Sequence, residues 1–185
     1  VGVGGYGAWL LLAMSRMGVG EIVCLDSVVV EFSNLDRQIV YSTADVGKFK
    51  VDAAKEFIRA SGLPTRVTPV AKRVDSPSTL RPFLRGVDLV FNSFGFFSPP
   101  FPRGNPARAI SQACRMERTP MLSLGGAWVG PLCLPGKSPC YFCFESELTR
   151  RGGWGLSPAN RAPLAQKRMF LPVVGATALA AVSEA

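Results

Sequence analysis

The sequence predicts an α/β fold in which helices cover both faces of a mostly parallel sheet. A glycine-rich turn at the start of the chain is followed by an apolar helix and a short strand, which together form a β-α-β unit. Residues 50–70 repeat the succession of a helix and a strand, and residues 87–91 are almost wholly apolar, as is usual for a parallel strand covered on both sides. With 185 residues and 48% hydrophobic content the chain can bury one core, so we expect residues 1–185 to form a single Rossmann-like domain.

The bounds of the predicted helices and strands are set by runs of helix-forming residues and by the Gly and Pro residues that interrupt them. The first helix should end at Gly18, where a C-terminal glycine belongs. Residues 94–106 predict an irregular loop, residues 125–145 are rich in Gly, Pro and Cys, and residues 150–167 predict a mobile crossover. The predicted elements, in chain order, are a helix over 8–17, a strand over 21–25, a helix over 50–60, strands over 66–70 and 87–91, a helix over 107–115, a strand over 120–124 and an Ala-rich helix over 171–185.

The composition narrows the classes of function. Lys and Arg number 21 against 13 Asp and Glu, and the net charge of +8 favours an anionic partner such as a nucleotide phosphate, an acidic peptide or a nucleic acid. The basic residues are dispersed and no aromatic-interleaved strip accompanies them, so we do not expect a nucleic acid partner. The chain has no His, which excludes imidazole bases, Ser/His triads and His-ligated metals within it.

The cysteines and the apolar segments of the sequence indicate the cellular compartment of the protein. Five scattered Cys fit a reducing environment better than a disulfide framework. No signal-peptide pattern is present, and the longest weakly polar run, residues 171–182, is too short to span a bilayer. We therefore expect a soluble, cytoplasmic protein without a membrane partner. Because the sequence begins at Val1 on a glycine cluster and lacks an initiating Met, we also expect it to be a piece of a longer chain.

The glycine cluster is the first candidate for a binding site. Gly2, Gly4, Gly5 and Gly7 form a GxGGxG pattern directly before a helix, where backbone N–H groups and the helix N-terminus can approach a phosphate. Asp26 lies at the end of the next strand, a position from which a carboxylate can accept hydrogen bonds from ribose hydroxyls. Together these residues predict a nucleotide site. On these residues alone, a simple tight turn and an NAD-dependent oxidoreductase remain open.

Two further segments favour ATP over NAD. Residues 33–38 read SNLDRQ and residues 46–51 read VGKFKV at the start of a helix. With the acid-ended strand before them, and with LPVVG at residues 171–175, they resemble the ThiF/MoeB adenylyltransferase family over essentially the whole chain. The order and spacing of these motifs are more specific than any one of them. The resemblance implies a Rossmann-like fold and an ATP-dependent adenylyltransferase that uses Mg²⁺.

The resemblance also implies roles for individual residues. Asp26 would hold the ribose, and the ATP phosphates would be contacted by Asn34, Arg37, Gln38 and Lys50. Physical chemistry agrees for the two cations, since a guanidinium can fork onto phosphate oxygens and an ammonium can stabilise the charge that develops as pyrophosphate leaves. We therefore predict Arg37 and Lys50 as the catalytic residues. The alternative is that both are ordinary solvated cations.

A Cys-x-x-Cys motif suggests a metal-binding site. Cys140 and Cys143 follow Pro139 and resemble the first half of the family's structural zinc site, in which four thiolates hold a tetrahedral ion. The second pair of ligands would lie outside this chain. The alternative is two unmetallated thiols in a loop.

One departure from the family pattern concerns magnesium. Members that adenylate a carboxylate usually carry a magnesium-binding Asp just after the strand predicted at residues 87–91, and Phe94-Gly95 stands there instead. No Asp or Glu occurs between Asp88 and Glu117. The charge of the transition state would then be met by Arg37, Lys50 and Asn92, with Mg²⁺ held by ATP and water.

Two functions follow from these observations. The first is adenylation of a carboxylate, often the C-terminus of a small protein or peptide, by a homodimer or by a chain paired with a partner subunit, as the resemblance implies. The second is a degenerate scaffold that binds a leader peptide or partner subunit for another modifying enzyme, as in relatives from clusters that make modified ribosomal peptides. The glycine loop, Asp26, Arg37 and Lys50 favour the first function. The absent acid and the basic charge favour the second.

Overall fold

The computed structural model describes residues 1–94, 106–125 and 128–150. Short 3-10 turns lie at Phe32–Asn34, Thr43–Asp45 and Arg81–Phe83. The helices are α1 (Gly5–Arg16), α2 (Lys50–Ala60), α3 (Pro77–Leu80), α4 (Pro106–Met116) and α5 (Tyr141–Arg150). The strands are β1 (Glu21–Leu25), β2 (Arg66–Val70), β3 (Val90–Asn92), β4 (Met121–Gly125) and β5 (Trp128–Cys133).

The strands form two ladders that the start of the chain connects. β1 pairs in parallel with β2, β3 pairs in parallel with β4, and β5 runs antiparallel to β4. Gly2 N donates to Leu25 O at 2.8 Å, while Val1 N donates to Phe91 O at 2.7 Å. The first residues therefore lie between β1 and β3, and the order across the molecule is β2, β1, chain start, β3, β4, β5. This arrangement confirms the predicted α/β fold with a mostly parallel sheet, and it brings the glycine turn to the carboxyl ends of β1 and β3.

Helix α1 is buried on several sides, as its apolar circumference predicts. Ala8 and Leu11 belong to a cluster with residues of α2, whereas Leu10 and Ala13 pack with Leu122 and Leu124 of β4. The helix is thus held from two directions, and its N-terminus is fixed at the strand ends. A further cluster forms around α3, α4 and the strands: Leu25, Val70, Val74, Leu80, Leu84, Val90, Ala107, Ala109, Ile110, Ala113, Cys114, Met121, Cys133 and Tyr141.

Several predicted bounds are wrong by a few residues. α1 begins at Gly5 rather than residue 8, because the glycines of the turn take part in the first helical turn. β3 begins at Val90 rather than at residue 87, since Val87 N donates to Leu84 O at 3.2 Å in a turn. The helix predicted over 107–115 and the strand predicted over 120–124 are each within one residue of α4 and β4.

The Gly-, Pro- and Cys-rich segment contains two elements that the sequence did not predict. β5 tolerates Gly130 and Pro131 on the outer, antiparallel edge beside β4. α5 begins directly after Pro139 and Cys140. The loop predicted over 94–106 and the crossover predicted over 150–167 are described only at their ends, where Pro106 begins α4 and Arg150 ends α5. The remainder of both segments and the helix predicted over 171–185 lie outside the described residues. Within the described ranges, no helix has the length and apolar character needed to cross a membrane.

Candidate nucleotide site

The four glycines of the loop have two different roles. Gly2 has a φ of +87°, and a Cβ on Gly7 would lie 1.9 Å from the Gly2 carbonyl oxygen. These two positions therefore let α1 pack against the start of the chain. A Cβ on Gly5 would meet nothing within 4 Å, and one on Gly4 would meet only Gln38 Nε2, at 4.0 Å. Gly4 and Gly5 thus leave open space before the helix N-terminus, where a phosphate can approach backbone N–H groups.

Asp26 is held at the end of β1 by backbone donors. Its Oδ2 accepts a hydrogen bond from Val3 N at 2.9 Å, and its Oδ1 accepts one from Val28 N at 2.9 Å. The residue is 8% exposed. Each carboxylate oxygen keeps acceptor capacity, because a carboxylate offers about four lone-pair sites. The carboxylate is therefore fixed beside the glycine loop and can still accept ribose hydroxyls.

The 3-10 turn at Phe32–Asn34 carries the next predicted residues. Asn34 is buried, and its Oδ1 accepts a hydrogen bond from Glu31 N at 3.2 Å. Gln38 N donates to Asn34 O at 3.0 Å, which brings the Gln38 side chain under the glycine loop. Gln38 is 4% exposed, and its Oε1 has no hydrogen-bond partner within the part of the chain that the structure describes. The orphaned Oε1 is an acceptor that could take a hydrogen bond from a ligand hydroxyl, whereas only the Nε2 amide group of Gln38 could donate to a phosphate.

Arg37 is tied to α1 through its backbone and to its own turn through its side chain. Its carbonyl oxygen accepts a hydrogen bond from Trp9 Nε1 at 3.1 Å. Its Nη1 donates to Ser33 O at 2.8 Å and to Asp36 Oδ1 at 2.6 Å. Because the ion pair with Asp36 is partly exposed, its free energy is small, and a phosphate can compete for the guanidinium.

Lys50 is placed by a short antiparallel bridge. Val30 N donates to Lys48 O at 2.8 Å, and Lys50 N donates to Val28 O at 3.0 Å. The bridge sets Lys50 as the first residue of α2, with 7% of the residue exposed. Burial lowers the pKa of the Lys50 ammonium below its usual range, although the negative charges of Asp26 and Glu31 oppose this shift. A buried cation with few internal partners is suited to an anionic ligand.

The predicted nucleotide-binding residues therefore lie together at one edge of the sheet.

Tyr41 contributes a contact that the sequence did not predict: its hydroxyl donates to Val3 O at 2.7 Å and so supports the glycine loop. Glu31 was also missed, although a carboxylate three residues before Asn34 matches the spacing of a capping pair. No sequence signal identified Tyr41.

Asn92, which the sequence suggested as a further charge-stabilising residue, already makes two hydrogen bonds to its neighbours. Its Nδ2 donates to Ser123 Oγ at 3.3 Å, and its Oδ1 accepts a hydrogen bond from Phe94 N at 3.2 Å. The residue is 1% exposed. The amide therefore joins β3 to β4 and shapes the chain that follows, which leaves Arg37 and Lys50 as the predicted cations of the site.

Cys140 and Cys143 lie apart from the nucleotide residues, at the start of α5. Their sulfur atoms are 3.4 Å apart, close to the separation of about 3.8 Å that two thiolates have on a tetrahedral zinc ion. Both belong to a cavity of about 600 Å³ that also includes Cys133 and Arg115. The described residues hold no group of three or more metal-binding side chains, so a zinc ion here needs further ligands from elsewhere. Two ligands fit the ion, and the complete site stays a prediction.

Comparison with known proteins agrees with the fold and the motifs. A model of the ThiF family matches residues 1–185. The SAMP-activating enzyme E1 of Haloferax volcanii is 34% identical over 156 residues, covering 82% of this chain and 54% of that protein. The tRNA threonylcarbamoyladenosine dehydratase of Escherichia coli is 30% identical over 127 residues, covering 69% of this chain and 45% of that protein.

Solved structures show the same similarity. E. coli MccB with ATP superposes with a TM-score of 0.72 at 25% identity, covering 100% of this chain and 52% of that one. MccB with AMPCPP and MccA superposes with a TM-score of 0.73, also at 25% identity and with the same coverage. The chain thus spans about half the length of the relatives that it matches.

Proposed function

Because this chain belongs to the ThiF family, we propose that its glycine-loop site binds ATP and adenylates a carboxylate. The observation that carries the proposal is the meeting of Gly4, Gly5, Asp26 and Lys50 at the carboxyl edge of β1 and β3. An acid-ended strand next to an open glycine loop suits a nucleotide, and the added buried cation suits a triphosphate.

In the proposed reaction a carboxylate oxygen attacks the α-phosphorus of ATP. A bond forms between that oxygen and phosphorus, the bond to the β-phosphate oxygen breaks, and pyrophosphate leaves with the electron pair. Lys50 would place its ammonium beside the charge that develops on the departing phosphates, and Arg37 would exchange Asp36 for phosphate oxygens. Asp26 would hold the ribose while Gln38 and Asn34 line the loop. Mg²⁺ would enter with ATP, held by phosphates and water.

We further propose that the carboxylate is the C-terminus of a small protein or peptide. The support is similarity to an enzyme named for activating SAMP and to MccB, whose structures include one with ATP and one with AMPCPP and MccA. The net charge of +8 is compatible with an acidic partner.

ATP–pyrophosphate exchange by the full-length protein tests adenylation directly. Exchange should require both Mg²⁺ and the cognate acid, and it should be lost in Lys50→Ala. Arg59→Ala is the matched control, because Arg59 is an exposed cation of the same helix that pairs with Glu56. If no candidate acid supports exchange while ATP binds normally, adenylation is wrong even though the nucleotide site is right.

A scaffold that binds a leader peptide or partner subunit remains the second candidate. The absence of any Asp or Glu between Asp88 and Glu117 favours it, since the family's magnesium carboxylate usually lies in that segment. A scaffold would bind an acidic peptide at micromolar concentration without turning over ATP. Peptide binding by a protein that shows no ATP–pyrophosphate exchange in the presence of that peptide would favour this candidate over adenylation.

The finer expectations on assembly and cofactors are also proposals. We propose a homodimer or a pair with a partner subunit, supported by five apolar side chains that are at least 36% exposed on one stretch of chain: Val28, Val29, Phe32, Val46 and Phe49. Light scattering on the full-length protein measures its mass directly. We also propose a structural zinc ion on Cys140 and Cys143, which elemental analysis of the wild type and of Cys140→Ser tests. The free thiols of the described residues are compatible with the proposed cytoplasmic location.

A further inference from the structure

Glu31 lies directly before the turn that carries Asn34 and directly after Val30, which is hydrogen-bonded to Gly47 and Lys48. It precedes the 3-10 turn, and its side chain accepts a hydrogen bond from the backbone of Asn34 while the Asn34 side chain accepts one from Glu31 N. Ser33 Oγ also donates to Glu31 Oε2, at 3.3 Å. Glu31 therefore caps the turn through its side chain at one side and its backbone N–H at the other, in the reciprocal arrangement of a capping box.

The same carboxylate acts electrostatically on Lys50. Glu31 directly follows Val30, whose N–H donates to Lys48 O in the bridge that places Lys50. The negative charges of Asp26 and Glu31 favour the ammonium form of Lys50, whereas the positive charge of Arg37 disfavours it. Asp26 already accepts two backbone hydrogen bonds and is the predicted ribose ligand. Glu31 is exposed and has no predicted contact with the nucleotide, so it can support the lysine charge without occupying the site.

We propose that Glu31 is a positioning residue of the nucleotide site, which caps the turn that carries Asn34 and balances the charge of Lys50. The inference rests on the proposed ATP site. Glu31 would act through its neighbours. Its cap fixes the position of the turn from which Asn34, Arg37 and Gln38 extend, and its charge keeps the Lys50 ammonium protonated beside an anionic ligand.

Substitutions at Glu31 separate the two effects. Glu31→Gln keeps an oxygen acceptor for the cap but removes the charge, Glu31→Ala removes both, and Glu31→Asp keeps both in a residue favoured at N-caps. The matched control is Glu56→Gln, an exposed carboxylate on α2 that pairs with Arg59 rather than with the turn. ATP affinity of the full-length protein is measured by calorimetric titration from neutral pH to about pH 10, with thermal melting alongside.

We expect Glu31→Ala to weaken ATP binding roughly threefold to tenfold, the factor that corresponds to about 1 kcal/mol of cap stability that ATP binding would have to restore. Glu31→Gln should lose affinity less at neutral pH. Its loss of affinity on the alkaline side should begin at lower pH than in the wild type, because the pKa of Lys50 falls when a neighbouring negative charge is removed. Glu31→Asp should restore the wild-type profile, and Glu56→Gln should match the wild type throughout.

Wild-type affinity and an unchanged pH profile in Glu31→Ala would overturn the inference while leaving the ATP site intact. Failure of the wild type itself to bind ATP would instead overturn the proposed function. A loss of affinity in Glu31→Ala that exceeds the loss in Lys50→Ala would also contradict a positioning role, because it would make Glu31 a direct ligand.

Discussion

The Asp26 carboxylate accepts a hydrogen bond from the backbone N–H of Val3 at 2.9 Å, so the acid at the end of β1 fixes the glycine loop as well as facing the proposed ribose position. Its other carboxylate oxygen accepts a hydrogen bond from Val28 N. In Asp26→Asn the amide NH₂ must face one of these backbone donors, which leaves a buried N–H unpaired. We expect a loss of about 1–3 kcal/mol in the free energy of unfolding, together with weaker ATP binding. Urea unfolding and ATP titration check both, and full stability with normal ATP affinity would contradict this dual role.

The two kinds of glycine in the loop predict different outcomes for the same substitution. In Gly7→Ala the new Cβ would lie 1.9 Å from the Gly2 carbonyl, so the start of α1 must move away from the chain start. We expect a destabilisation of about 1–3 kcal/mol or more, as in overpacked cores. In Gly5→Ala the new Cβ meets no atom within 4 Å. This variant should therefore have the melting temperature of the wild type but bind ATP less tightly. Equal melting temperatures for both variants would contradict this division.

The partly exposed guanidinium of Arg37 predicts a salt-dependent contribution to ATP affinity. Arg37→Ala should raise the Kd for ATP roughly 10-fold to 100-fold at low salt, the equivalent of about 1.5–3 kcal/mol for a hydrogen bond to a charged group. The difference should shrink as ionic strength rises, because added ions screen exposed charges. Arg59→Ala should leave the Kd unchanged. An effect of Arg37→Ala that is equal at all salt concentrations would indicate a structural role through the turn.

The lowered pKa of Lys50 predicts how ATP binding depends on pH. Binding needs the ammonium form, so affinity should fall as pH rises through the pKa of Lys50 in the free protein, which lies below the usual lysine value of about 10.4. Stability moves in the opposite direction, since the unfolded chain holds this proton more tightly and the contribution of Lys50 to stability increases with pH. Lys50→Arg should abolish the alkaline decline because a guanidinium stays charged. A decline that persists in Lys50→Arg would assign it to another group.

The position without the family's acid predicts a gain of function. Gly95→Asp places a carboxylate at the sequence position where the resemblance to the ThiF/MoeB family implies a magnesium ligand. We expect this variant to reach half-maximal ATP–pyrophosphate exchange at a lower Mg²⁺ concentration than the wild type. Ser98→Asp, which adds the same charge nearby, is the control and should leave the Mg²⁺ requirement unchanged. If Gly95→Asp also leaves it unchanged, the missing acid does not limit this protein.

The sequence predicted most of what depends on local pattern. Glycine spacing and the strand-ending Asp26 located the glycine loop and the carboxylate beside it, because those features follow from neighbouring residues alone. The separate roles of Gly5 and Gly7 could not be predicted, since they depend on which backbone lies opposite each Cα. Likewise, the sequence suggested Asn92 as a charge stabiliser, but its amide donates a hydrogen bond to Ser123 of the adjoining strand. The helix after Cys140 was missed because the sequence analysis grouped it with the Gly- and Pro-rich residues before it, although Tyr141–Arg150 contains neither residue type.

Calorimetric titration of the full-length protein with ATP and Mg²⁺, beside Lys50→Ala, tests the central claim most directly. The glycine loop, Asp26 and Lys50 predict a single ATP site that the wild type fills and that the variant has lost, while Arg59→Ala binds as the wild type does. Absence of ATP binding in a folded wild type, or equal binding by Lys50→Ala, would contradict the assignment of this edge of the sheet as the nucleotide site.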